Sequence, residues 1–214
     1  MKNYSAEDLQ KNYDKFIEAL GKVFSGERLE KLKFMYSQEE LGTELVLAPA
    51  SGKEHYHSAY VGGYLDHVMN VARNAYKMKK LYEEGGIKVD FTDEELFFAA
   101  FHHDLGKLGS KGKVHYVTNP SDWHVKNQGK IYDTNNKISR MAVPDRGLFT
   151  LQQLGITLTE EEYIGIKIND GIFDEANKFY NSTEYQEAHS ILKGYAVRHH
   201  QTVDVKAKLL CIGR

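Results

Sequence analysis

The chain has 214 residues, of which 41% are hydrophobic and 27% charged, and its formal charge of −2 goes with a pI near 6.6. That length supports one domain with a full hydrophobic core, and the composition is that of an ordinary globular protein. The near-balanced charge removes any global electrostatic reason to bind nucleic acid or an acidic membrane, although a local basic patch stays open. A single cysteine, Cys211, excludes an intrachain disulfide and fits a reducing compartment. The opening MKNYSAEDLQKNYDKF lacks the apolar core of a signal peptide, and no run reaches the ~18 apolar residues that span a bilayer. A cytoplasmic location is the expectation.

With three prolines and many helix formers, the chain reads as mostly helical. Capping boxes mark the helix starts, because an N-cap hydroxyl and an acidic or amide residue three places on together satisfy exposed backbone N–H groups. Ser5-x-x-Asp8 precedes Leu9, Tyr13, Phe16, Ile17 and Leu20 at helical spacing. Ser37-x-x-Glu40 is expected to open a short turn before Leu45-Val46-Leu47. A helix is predicted over 63–82 with Leu65, Val68, Met69, Ala72 and Tyr76 on its apolar stripe, ended by Glu83-Glu84-Gly85-Gly86. Thr92-x-x-Glu95 opens the next, predicted over 93–105, with Gly106 as a left-handed cap. Residues 109–145 show no periodicity, but Val114–Val117 and Lys130–Tyr132 can pair as a short hairpin. An irregular stretch of that length within a domain is often functional. Thr159-x-x-Glu162 and Thr183-x-x-Gln186 open two further helices.

The stretch FHHDLGK carries the first chemical signal. Leu96, Ala99, Ala100 and His103 share one helix face, so His103 points with the core residues, and Asp104 follows it at the helix end. Adjacent His and Asp side chains there can converge on one ion. A mixed imidazole and carboxylate donor set suits Mn²⁺, Fe²⁺, Co²⁺, Ni²⁺ or Zn²⁺, with Mg²⁺ as a further candidate. A surface or purely structural pair reads as well. The second signal lies upstream, in His55-Tyr56-His57 and Gly62-Gly63-Tyr64-Leu65-Asp66-His67. Two helices that each present a histidine to a shared interior can build a metal site. His55 and His57 read as loop residues, at a pocket wall or on the surface.

GGYLDH followed by HHDLGK resembles the HD-domain superfamily of metal-dependent phosphohydrolases, of the phage and bacterial type. The likeness covers residues 48–107 well and the rest more loosely. It implies an HD-like helical bundle around a metal site, with 1–47 as an N-terminal helical segment packed on a 48–214 HD-like domain, one globular unit overall. Carried over onto this sequence, it implies His67, His103, Asp104 and a late aspartate as ligands of about one divalent ion per chain. The late position is Asp204 in one register and Thr202 in another; a carboxylate makes Asp204 the better ligand. Asp145, Asn169 and Asp170 stand where some relatives carry extra histidines, which favours one metal over two.

The implied activity is hydrolysis of a phosphoester or phosphoanhydride of a nucleotide or related phosphate by a metal-activated water. Asp104, Lys107 and His102 are the expected catalytic residues, with His102 as acid/base or ligand-orienting group. Lys107, Arg146, His57 and Tyr132 are the expected substrate contacts. Lys107 can neutralise phosphate and Arg146 can clamp it bidentately; a solvated surface charge is the alternative for both. Trp123, His124, Lys126, Asn127 and Tyr132 can stack a base and hold phosphate, or can simply tie the irregular region down. Asn177, Lys178 and Tyr180 are further pocket candidates. Two other functions fit: a 3′–5′ exonuclease on single-stranded RNA or DNA, and a degenerate HD protein that binds a nucleotide or partner without turnover. No membrane partner is expected, and a homo-oligomer is compatible with the sequence.

Overall fold

The computed structural model describes residues 2–86, 88–89 and 91–169. Asp204, Thr202, Asp170, Asn177, Lys178, Tyr180 and the helix expected after Thr183 lie outside the described residues. Within them the chain is mostly helical, as its composition suggests, with eight α-helices, one 3₁₀ turn and one two-stranded antiparallel hairpin.

Three capping boxes form as the sequence spacing requires. Ser5 opens α1 (Ala6–Val23), with Ser5 and Asp8 exchanging backbone-to-side-chain bonds of 3.2 Å each way. Thr92 and Glu95 do the same for α5 (Asp93–His102), at 2.8 and 3.1 Å. Thr159 and Glu162 do so for α8 (Glu160–Lys167), at 3.0 and 3.3 Å. Ser37 does not cap. It is the last residue of α2 (Gly26–Ser37), its hydroxyl donates back to Phe34 O, and Gln38 precedes α3 (Glu39–Leu47) without a side-chain cap. α4 (Gly63–Glu84) matches the predicted helix and ends in the Gly85-Gly86 pair.

The irregular stretch contains the expected hairpin. β1 (Tyr116–Thr118) pairs with β2 (Tyr132–Thr134), with Val117 opposite Asp133. The structure adds α6 (Asp122–Gln128) between them and α7 (Val143–Gln153) after them.

The chain divides into two compact units. The first takes residues 2–69 and 104–157, so α1–α3 belong with the stretch after residue 47. Here α1, α2 and α3 pack together over Phe16, Leu20, Leu32, Met35, Tyr36 and Leu45, all fully buried. The Phe16 ring meets Tyr36 edge-on at 5.0 Å. A 3₁₀ turn, Leu105–Leu108, packs on α7 in the same unit. Among the described residues the second unit takes 70–103 and 158–169, where α5 packs on α8 and Phe97 stacks between Tyr76 and Phe101.

Two of the close backbone approaches in the first unit bear on the site. A Cβ on Gly63 would lie 2.0 Å from Ser58 O, and one on Gly106 would lie 2.1 Å from Val143 O. Gly106 is therefore not a left-handed cap. It sits inside the 3₁₀ turn with negative φ, and its missing Cβ admits α7; the positive φ falls on Gly109, at 95°.

Gly63→Ala should cost about 1–3 kcal/mol, because neither backbone can yield. Gly21→Ala, in an exposed turn of α1 with nothing near its Cβ, should stabilise by up to about 1 kcal/mol through helix propensity. Urea melts of the two variants measure the contrast.

Candidate metal centre

The site is assembled in the first unit by a loop, the start of α4 and Asp104, two residues past the end of α5. The loop leaves α3 at Ala48 and returns to α4 at Gly63. Its neck is closed by Gly62 N–H to Leu47 O at 3.2 Å and Tyr64 N–H to Ala48 O at 3.0 Å. Inside it, Ala50 N–H donates to Ser58 O at 3.0 Å, and the Ser51 hydroxyl donates to His57 O at 2.8 Å. Ser58 takes φ +48°, an uncommon conformation for a residue with a Cβ, directly after His57.

The hairpin region buttresses this loop from outside. Tyr132 N–H donates to Gly52 O at 3.0 Å, Glu54 N–H to Gly129 O at 2.7 Å, and Lys53 bridges Lys130. Trp123 is 60% exposed on α6. The backbone between Gly129 and Tyr132 thus holds the loop.

His57, His67 and Asp104 converge. One ligand-competent atom from each lies within 4.8 Å of the others. His67 Nε2 is 3.1 Å from Asp104 Oδ2, and the His57 and His67 rings are 4.5 Å apart between centroids. Ligands about 2.1 Å from an ion stand roughly 3–3.4 Å from one another when cis or tetrahedral, so the His67–Asp104 edge already has the right length. His67 and Asp104 are 3% and 5% exposed, while His57 is half-buried. The donor chemistry and spacing fit a divalent ion held by imidazole and carboxylate.

Lys107 does not project as a substrate cation. Its ammonium donates to Asp104 Oδ2 at 2.7 Å and to Ala50 O at 2.8 Å, tying the carboxylate to the loop that carries His57. Asp66, next to His67, turns the other way and accepts from Lys2, Tyr4 and Tyr60 at 2.7–2.8 Å.

His103 and His102 belong to the second unit. His103 is 1% exposed, and its Nδ1 lies 2.8 Å from Ala100 O; His102 is fully buried, with Nδ1 2.7 Å from Phe98 O. A carbonyl only accepts, so Nδ1 carries a proton in both rings. Asn169 donates to His103 O at 2.7 Å. Tyr132 is half-buried in β2, and burial pushes its hydroxyl above the ordinary range.

Arg146 is committed to the fold, which corrects its reading as a phosphate clamp. Its guanidinium is buried and donates to Gly106 O, Ser139 O and Met141 O at 3.0–3.2 Å, and to His115 Nδ1 at 3.0 Å. A residue inside a helix whose N-terminus lacks a side-chain cap gives no sequence signal of that burial. The sequence reading also missed His57 as a partner of His67. A loop histidine has no periodicity that says where it points, and only the close spacing of His55, His57 and His67 hints at a cluster.

A cleft of about 640 Å³ opens between α3, residues 108–114 and α7, and includes Glu40, Glu44, Lys111, Lys113 and Phe149, but none of the three convergent residues. No protein-family model, curated protein or solved structure matches the chain.

Burial, with the Arg146 and Lys107 charges behind it, lowers the His115 imidazole to about 4, against the weaker upward pull of Asp104. A folded value below the unfolded one means that the unfolded chain takes the proton first. This ring therefore costs nothing above about pH 6.5 and removes stability as pH falls to about 4, by on the order of 3 kcal/mol in full. Denaturant melts from pH 7.5 to 4.5 should show that slope, and it should flatten in His115→Asn.

Proposed function

We propose that the protein is a metal-dependent phosphohydrolase that cleaves a nucleotide or related phosphate ester. The observation that carries this reading is the convergence of His57, His67 and Asp104, with Lys107 on the same carboxylate oxygen. The resemblance of GGYLDH and HHDLGK to HD-domain phosphohydrolases supports it from the sequence, since His67 and Asp104 are two residues that the resemblance names. An ion bound there supplies Lewis acidity toward a phosphoryl oxygen and a water of lowered pKa.

The chain's own residues do the rest. Lys107 sets its charge against Asp104 Oδ2, the carboxylate oxygen that faces His67. The Ala50 carbonyl, bonded to Lys107, carries that constraint into the loop, so His57 and Asp104 move together. His57 is the least buried of the three. The resemblance adds His103 and Asp204 to the ligand set. The Nδ1–H bond of His103 to Ala100 O turns its Nε2, the atom a metal would take, away from that carbonyl.

The test is phosphate release from a nucleotide panel, with a labelled single-stranded oligonucleotide alongside. Turnover should require Mn²⁺, Co²⁺ or a similar ion and fall to the metal-free level in Asp104→Asn. Lys107→Met should lower it by about 10–100-fold, the usual loss when the group that orients a ligand is removed. Full activity in Asp104→Asn overturns the reading, and degradation of the oligonucleotide alone redirects it to nuclease activity.

A further inference from the structure

His115 has no part in the His57–His67–Asp104 group. It precedes β1 on the hairpin, is 7% exposed, and has its Nδ1 3.0 Å from Arg146 Nη1. A guanidinium has donors only and stays charged. Nδ1 must therefore accept, and in the neutral ring the proton sits on Nε2. The same Nη1 donates to Gly106 O at 3.1 Å, so one nitrogen ties the imidazole to the 3₁₀ turn that bears Lys107 and directly follows Asp104. The charges of Lys107 and Asp104 both reach the ring. Among the described residues, the bond to Arg146 is the only hydrogen bond of this side chain.

This arrangement excludes two roles. With Nε2 protonated, the ring has no lone pair to give a metal. Held neutral, it is a poor general acid, so it does not deliver a proton to a leaving group. What remains is a fixed N–H donor, the way a neutral histidine polarises an oxygen in other active sites.

We propose that His115 is a substrate-contacting residue whose Nε2–H, oriented by Arg146 through Nδ1, donates a hydrogen bond to an oxygen of the phosphate bound beside Asp104. The assignment rests on the phosphohydrolase reading. Arg146 is then a positioning residue: it reaches substrate only through His115, and its other bonds hold the 3₁₀ turn and residues 139–141 in place.

Two isosteric variants separate the ring's two nitrogens. Asparagine puts an acceptor where Nδ1 stands and nothing at Nε2, so His115→Asn keeps the bond to Arg146 and removes the donor. Glutamine can place an amide N–H at the Nε2 position, so His115→Gln keeps the donor. The full-length protein loaded with diamagnetic Zn²⁺ is examined by ¹⁵N-detected histidine spectra, with and without inorganic phosphate, and metal content and melting temperature are measured for each variant.

The expected results are an Nε2–H tautomer for His115 and a shift of that resonance on adding phosphate. Turnover should fall about 10–100-fold in His115→Asn, be largely restored in His115→Gln, and metal content should be unchanged in both. An Nδ1–H tautomer, or a phosphate-insensitive His115 in a protein that turns substrate over, overturns the proposal and leaves the phosphohydrolase reading intact. Wild-type protein that neither binds phosphate nor releases it overturns both.

Discussion

One oxygen organises the first unit. Asp104 is buried just past the end of α5, and its Oδ2 receives His67 from α4 and Lys107 from the next turn. A carboxylate so placed is costly unless it is paired and hydrogen-bonded, and each partner that meets this need fixes another part of the chain. His67 brings the start of α4 to it. Lys107 reaches on to Ala50 O and so fastens the loop between α3 and α4. His57 comes to the cluster because that loop is fastened.

The supports of this arrangement are backbone contacts rather than side-chain chemistry. Gly63 lets α4 begin against Ser58 O, and Gly106 lets the 3₁₀ turn lie under Val143 O. The hairpin pins the loop through Gly52, Glu54 and Gly129. Arg146 binds the 3₁₀ turn, residues 139–141 and His115 at once, through the Gly106, Ser139 and Met141 carbonyls and the imidazole Nδ1. The three donor groups are held in place by contacts of the chain with itself.

Where the sequence speaks of local physics, it is legible. Ser5, Thr92 and Thr159 cap helices because a hydroxyl and a carboxylate three residues apart meet the same N–H groups in any context. The end of α4 at Gly85-Gly86 and the hairpin around residues 114–132 follow from equally local signals. Ser37 misled because the same spacing occurs where α2 is ending, and the hydroxyl bonds back to Phe34 O instead. α2 and α7 were silent, having no side-chain cap, and α6 is too short to show a period. At the site, His67 and Asp104 were legible from their motifs. The role of His57, the structural commitment of Arg146 and the tautomer of His115 were not, since each depends on a partner distant in the chain. Those partners are His67 for the first, Gly106 for the second and Arg146 for the third.

The central claim is that the buried His–Asp group is built to hold a divalent ion. The most direct test is the metal content of the purified full-length chain by mass spectrometry after exposure to Mn²⁺, Ni²⁺ and Zn²⁺ and exhaustive dialysis, beside His67→Ala, His57→Ala and His103→Ala. The account predicts about one ion per chain, lost in His67→Ala. Loss in His57→Ala marks the loop histidine as a ligand, and loss in His103→Ala marks the residue that the sequence resemblance names. A chain that retains no ion under any of these conditions, or a His67→Ala variant that retains it in full, contradicts the account.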